Sequence, residues 1–223
     1  MSGEGLGELA DGVERRLRFH EGFGVKGVRV PTKAGRLAEL ERQVKRCQLC
    51  DLARTRTNVV FGEGSPEARL VFVGEAPGHD EDVQGRPFVG RAGELLTRII
   101  EAERVLGTRR EDVYICNVLK CRPPGNRNPD PFEVARCIQY LFAQLSIIEP
   151  DVVCCLGAIA AQNLLGTKEP IGRLRGRMFD FRGGKLIATY HTAYLLRNPG
   201  PEAKRKVWAD MLQVRDYLEG RGE

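Results

Sequence analysis

The chain carries two kinds of apolar pattern. From residue 34, "AGRLAELERQVKRC" sets Leu37, Leu40 and Val44 three and four positions apart, the stripe of an amphipathic helix. That helix ends at Cys47 and Cys50. Four short, almost unbroken apolar runs follow: "RLVFVG" closing at Gly74, "DVYICNVLK" closing near Lys120, "PDVVCCLG" closing at Gly157, and "KLIATYH" closing at His191. Runs of this length without polar alternation are strands covered on both faces. Helical segments separate them: "RAGELLTRIIEAERVL", "PFEVARCIQYLFAQLSII" and an Ala-rich stretch after Gly157, with "PEAKRKVWADMLQVRDYLEG" as a final helix. Strands alternating with helices predict an α/β fold, a doubly wound three-layer α/β/α arrangement around a central, mostly parallel four-stranded sheet. "MFDFRGGKLIATY" breaks the alternation, and its "RGGK" reads as a hairpin turn. Residues 1–33 are Gly- and charge-rich with weak periodicity and form an expected N-terminal extension; residues 34–223 show no internal boundary and form one expected domain.

A parallel sheet says where to look for chemistry. Its ligand site lies outside the carboxyl ends of the strands. The unusual polar residues fall there: Glu75 after the first strand, Asn117 to Arg122 after the second, His191 after the fourth. Three separate pieces of sequence thus converge on one crevice.

Composition narrows the class. Hydrophobic residues are 42% of the chain, enough for a real core, and charged residues 29%, which suits a solvated surface. No apolar run approaches the roughly 18 residues of a membrane span, so no membrane partner is expected. The N-terminal residues lack a charged start followed by an apolar stretch, and the expected location is cytoplasmic. The net charge of +5 is compatible with a polyanionic partner without requiring one. A monomer is expected.

Seven cysteines, an odd number without a signal peptide, do not read as a disulfide framework. Cys116, Cys154 and Cys155 sit inside apolar runs as small core side chains. Cys47 and Cys50 form a Cys-x2-Cys pair, and Cys121 and Cys137 stand 16 positions apart across a loop and into a helix. Four thiolates suit tetrahedral zinc or an iron–sulfur cluster, and spacing alone does not separate the two.

"GEAPGHDEDVQGRPFVG" lacks both the Gly-Lys-Ser/Thr of a phosphate loop and a dinucleotide fingerprint. Its acidic run, Asp80 to Asp82, is either a solvated turn or a Mg²⁺ site. Phe88 either pins this loop to the core or stacks on a planar ligand. Asn117, ending an apolar strand, either caps a turn or presents a donor and an acceptor to one edge of a pyrimidine. Lys120, Arg122, Arg127, Arg173, Arg175, Arg177 and Arg197 border the same strand ends and suit a phosphate backbone lying across the crevice.

"GEAPGHDEDVQGRPFVGRAGELL", "NVLKCRPPGNRNP" with its following cysteine, and "YHTAYLLRNP", placed after a Cys-x2-Cys helix, together resemble the family 4, iron–sulfur, uracil-DNA glycosylases. The resemblance runs from about residue 34 to the C-terminus. It implies a monofunctional DNA-repair enzyme. Such an enzyme extrudes uracil from single- or double-stranded DNA and hydrolyses its N-glycosidic bond, leaving an abasic site. It implies that Cys47, Cys50, Cys121 and Cys137 hold a 4Fe-4S cluster, a choice of iron over zinc that the resemblance alone supplies. Phe88 resembles the aromatic that stacks on the flipped base. Asn117 resembles the amide that reads its edge, and Glu81 the side chain that crowds C5 against thymine's methyl group. Glu75 and Ala76 match the motif facing base and water, with Glu75 as the expected water activator. His191 resembles the histidine that donates to uracil O2. Leu195 and Leu196 are candidate base-displacing wedges, and the basic residues above are DNA contacts. Two positions depart from the pattern. Thr192 stands where the family usually has proline, and Ala76 where other families of the superfamily carry a water-activating Asp or Asn. "KCRPPGNRNPD" has no histidine, so no covalent adduct with DNA is expected. A non-catalytic nucleic-acid-binding module of the same fold, and a zinc-stabilised nucleotide hydrolase using the acidic run, are the rival readings.

Overall fold

The computed structural model describes residues 31–221; residues 1–30, most of the expected N-terminal extension, lie outside them. The elements run α1 (Lys33–Lys45), α2 (Leu52–Thr55), β1 (Glu63–Gly64), β2 (Leu70–Gly74), α3 (His79–Gln84), α4 (Arg91–Glu101), β3 (Tyr114–Asn117), α5 (Pro131–Ile148), β4 (Val152–Leu156), α6 (Ala158–Leu165), α7 (Ile171–Leu174), β5 (Met178–Phe181), β6 (Gly184–Thr189), α8 (Thr192–Arg197) and α9 (Pro201–Leu218).

The four strands expected from apolar runs are present, and β3, β2, β4 and β6 lie side by side and parallel. The sheet itself has six strands, ordered β1-β3-β2-β4-β6-β5. The count of four is therefore corrected by one antiparallel strand at each edge. The two-residue β1 is too short to leave a pattern. β5 belongs to the anticipated hairpin, whose turn places Arg182 and Gly183 at φ of 50° and 87°, the two positive values of a type I′ turn.

Residues alternate between the faces of each strand, and both faces are covered. Val71, Val73, Cys116, Val153 and Cys155 pack with α1, α5, α6 and α7. Leu70, Phe72, Ile115, Val152 and Cys154 pack with α4, α8 and α9. This double burial is why the strands read as continuous apolar runs. It also fixes Cys116, Cys154 and Cys155 as fully buried core residues. Among the described residues no helix is long and apolar enough to cross a membrane.

Helix α5 matters most for the site. Pro131 occupies its first turn, the Asp130 carboxylate accepts from Phe132 N–H (2.8 Å), and Glu133 reaches back to accept from Asp130 N–H (2.8 Å). This capping box sets where the helix starts, and so where Cys137 and Gln144 project.

Candidate active site

A crevice of about 720 Å³ opens at the carboxyl ends of β2, β3, β4 and β6. Glu75, Ala76, Glu81, Phe88, Asn117, His191 and Arg197 line it. The three sequence segments expected to converge do so.

Asn117 closes β3 and is 1% exposed. Its Oδ1 is buried without a hydrogen-bond partner. A turn cap would have satisfied that oxygen, so the capping alternative falls away. A buried amide oxygen left unpaired costs about 1–3 kcal/mol, a cost that a ligand N–H can relieve. Opposite the end of β3, Gly74 closes β2 in register. A Cβ on Gly74 would stand 2.3 Å from Asn117 Oδ1 and 2.6 Å from Phe88 Cζ. Only a glycine lets these two side chains approach so closely.

Of the two descriptions offered by the sequence, Phe88 meets the first, pinning its loop to the core. It is 6% exposed and packs in the core with Leu96 and Leu195. Its ring also stacks on that of His191, with centroids 5.6 Å apart at 26°. Its φ is +52°, a left-handed backbone that a bulky residue adopts only under constraint. The constraint comes from Glu81, whose carboxylate accepts from Gly78 N–H (3.1 Å), Val89 N–H (3.0 Å) and Gly90 N–H (3.0 Å). Gly93 completes it, since a Cβ there would lie 1.9 Å from Phe88 O. Asp82, next to Glu81, accepts from Thr57 N–H (2.9 Å) and Asn58 N–H (3.3 Å). Two members of the acidic run are thus loop braces, and the Mg²⁺ reading loses its ligands.

His191 is the N-cap of α8, and its Nδ1 accepts from Ala193 N–H (3.1 Å). That bond leaves Nε2 as the N–H donor of a neutral ring. Burial, reinforced by the positive charge of Arg197, pushes its pKa down to about 4. Glu75 is half-buried, and desolvation raises its carboxyl above the ordinary range.

The DNA-contact expectations divide. Arg173 and Arg197 are exposed. Arg122 is partly exposed and bonded to Asn126 Oδ1 (2.7 Å). Arg127 is half-exposed and braced by Glu133 (2.9 and 2.5 Å). Three residues are corrected. Lys120 is 1% exposed: its Nζ turns inward to Asn117 O (2.8 Å) and Gln144 Oε1 (2.5 Å), so it cannot meet phosphate. Arg175 pairs with the fully buried Asp210 and donates to Lys206 O (2.8 Å), holding α9 against β6. Leu195 is 4% exposed in the core and cannot act as a wedge. Leu196 is partly exposed, and Tyr194 stands exposed at the crevice. Gly74, Gly93, Gln144 and Tyr194 were missed. Gln144 left a legible trace, a polar residue on the apolar stripe of α5 between Leu141 and Leu145.

Away from the crevice, all four candidate cysteines line one apolar cavity between α1, α2 and α5. Arg56 donates to Cys121 Sγ (3.2 Å) and to Cys47 O (2.9 Å), and the Lys120 N–H donates to Cys137 Sγ (3.3 Å). Burial raises the thiols of Cys50 and Cys121, and pushes that of Cys137 up to about 11. Among the described residues no three His, Cys, Asp or Glu side chains converge tightly enough for a single metal ion.

The family model of the uracil DNA glycosylase superfamily matches residues 61–212, which include every crevice residue named above. The chain belongs to the uracil DNA glycosylase superfamily. Within that superfamily it is 50% identical over 185 residues to the type-4 uracil-DNA glycosylase of Thermotoga maritima, covering 82% of this chain and 95% of that one. To the type-4 uracil-DNA glycosylase of Archaeoglobus fulgidus it is 48% identical over 171 residues, 73% of this chain and 84% of the other. A type-5 uracil-DNA glycosylase of Thermus thermophilus is more distant, at 32% over 178 residues, 72% and 80% of the two chains.

Proposed function

We propose that this superfamily member is a DNA-repair glycosylase that hydrolyses the bond between uracil and deoxyribose. The observation carrying this reading is the Asn117 carboxamide: Asn117 lines the crevice with Phe88 and His191, and its side-chain oxygen is buried beside Gly74 without a partner. Uracil offers an N3–H donor beside an O4 acceptor, the complement of one carboxamide. Cytosine offers the opposite pattern at the same edge. The type-4 uracil-DNA glycosylase relatives support the same substrate.

The flipped base enters the crevice and stacks on Phe88. Asn117 Oδ1 accepts from N3–H, and its Nδ2 donates to O4. As the C1′–N1 bond breaks, negative charge collects on the pyrimidine and reaches O2. The neutral His191 donates its Nε2–H there, stabilising charge that is absent from the bound substrate and develops as the bond breaks. Water adds to C1′, and the Glu75 carboxylate takes its proton; the raised pKa makes that group a stronger base while it remains ionised. The proton then passes from Glu75 through solvent to the uracil anion, which restores the carboxylate and leaves free uracil and an abasic site. The Glu81 stem, immobilised by its three N–H bonds, forms the wall against a 5-methyl group. Arg122, Arg127, Arg173 and Arg197 hold the phosphates, and Leu196 enters the stack the base has left.

Cys47, Cys50, Cys121 and Cys137 hold a 4Fe-4S cluster in this reading. Four thiols lining one apolar cavity fit such a group, and the family resemblance selects iron over zinc. Bound by these residues, such a group would supply structure, tethering the loop after β3 to the segment following α1 and to α5 before DNA arrives.

Excess protein incubated with a uracil-containing oligonucleotide, then treated with alkali, should cleave at uracil and leave the matched thymine and cytosine strands intact. Anaerobically purified protein should contain iron and acid-labile sulfide. Colourless protein holding zinc alone removes the cluster assignment.

A further inference from the structure

Lys120 is the one basic residue of the loop after β3 that the site described above does not use. Each of its polar groups is engaged. Its N–H donates to Cys137 Sγ (3.3 Å), its carbonyl accepts from Val60 N–H (2.8 Å), and its Nζ donates to Asn117 O (2.8 Å) and Gln144 Oε1 (2.5 Å). Gln144 in turn donates to Phe61 O (2.9 Å) and Tyr114 Oη (3.0 Å). Gln144 is 0% exposed and Tyr114 3% exposed, so the whole network is dry.

Burying an amine this completely is costly, and an apolar residue would fill the space more cheaply. What the amine supplies is a fixed point at the end of β3. Past Asn117 the chain makes two further bonds to the neighbouring strand, Val118 N–H to Gly74 O (2.9 Å) and Leu119 N–H to Glu75 O (3.0 Å), and then turns away. Lys120 reaches back three residues and ties the Asn117 carbonyl to Gln144 on α5, two turns beyond Cys137 on the same helix. The Asn117 side chain makes no hydrogen bond through Oδ1, so its aim depends on its backbone.

We propose that Lys120 is a positioning residue for uracil recognition. It clamps the Asn117 backbone to α5, so that the carboxamide is aimed at the base before DNA binds. The proposal rests on the reading of Asn117 as the base-reading amide. It makes the cysteine loop and the base-reading residue parts of one rigid unit, joined through Lys120 and α5.

Lys120→Met keeps the length and removes both Nζ bonds. A misaimed carboxamide is expected to lower the single-turnover excision rate on the order of 100-fold, the scale of an ångström of misplacement. Affinity for abasic product DNA, which has no base to read, should stay unchanged, and so should iron content. The deciding comparison repeats the substitution in an Asn117→Ala background, where Lys120→Met should have no further effect on the rate. If it lowers the rate equally in both backgrounds, or in neither, Lys120 does not act through Asn117 and the proposal is overturned. Should Lys120→Met fail to fold, Gln144→Met removes the anchor while leaving the amine, and the same comparison applies. If neither variant folds, the network is structural and the proposal fails. Full excision by Asn117→Ala alone is a different outcome: it removes the reading of Asn117 itself.

Discussion

At the scale of single residues, the crevice depends on close approach. Asn117, at the end of β3, and Phe88, in the loop before α4, come together because Gly74 between them has no side chain. Gly74→Ala would put a methyl group within 2.3 Å of Asn117 Oδ1. It should lower uracil excision on the order of 100-fold while costing about 1–3 kcal/mol of stability, measured by single-turnover kinetics and thermal melting. The titrating groups give a second test. Glu75 must be ionised to accept a proton, and burial raises its pKa. The excision rate should therefore fall on acidification at a higher pH than an ordinary carboxylate would give, and Glu75→Gln should remove that limb along with most of the activity. His191 is held near pKa 4, stays neutral across the same range, and adds no second limb near neutrality. Asn117 and Phe88 stood out in the sequence as a carboxamide and an aromatic in the wrong company. Lys120 and Leu195 misled for the opposite reason. Sequence neighbourhood put them at the crevice, but one side chain turns inward to a carbonyl and the other lies on the buried face of α8. Burial of an individual side chain is set by tertiary contacts that no local pattern records.

At the scale of elements, α8 shows how a departure from the family pattern is accommodated. Thr192 is its first residue, 1% exposed, with its hydroxyl buried and unpartnered. His191 before it sits at φ −62° and ψ 140°, a conformation that a following proline prefers. Thr192→Pro removes the orphaned hydroxyl and pre-sets the first helical φ. It should stabilise the protein by about 0.5–1 kcal/mol and leave excision intact, seen as a raised Tm with an unchanged single-turnover rate. Helix α5 was legible to the residue, because Asp130, Pro131 and Glu133 spell a capping box and the apolar stripe runs to Ile148. Strand β1 was not, because two residues paired at a sheet edge leave no periodicity.

At the scale of the whole molecule, one sheet separates two tasks. Its carboxyl ends form the crevice, and the four cysteines line a separate cavity against the start of the loop that carries Arg122 and Arg127. Alternation of strands and helices made this architecture readable, and the rule that ligands bind at the carboxyl ends of parallel strands located the crevice before any geometry was known. Which basic residues face outward was not readable, and salt dependence tests the corrected set. Arg122→Ala and Arg197→Ala should each reduce the slope of log affinity for DNA against log salt by about 1. Lys120→Met and Arg175→Met should leave the slope unchanged, since both cations are committed inside the protein.

The central claim is that this crevice reads uracil through Asn117 and releases it by hydrolysis. The most direct measurement is single-turnover cleavage of a uracil-containing oligonucleotide by the intact protein and by Asn117→Ala, with binding to the abasic product as control. Excision at uracil alone is expected of the intact protein, with a loss on the order of 10²- to 10³-fold in the variant and equal product binding by both. Absence of excision by the intact protein in excess, or an Asn117→Ala variant as fast as its parent, would contradict it.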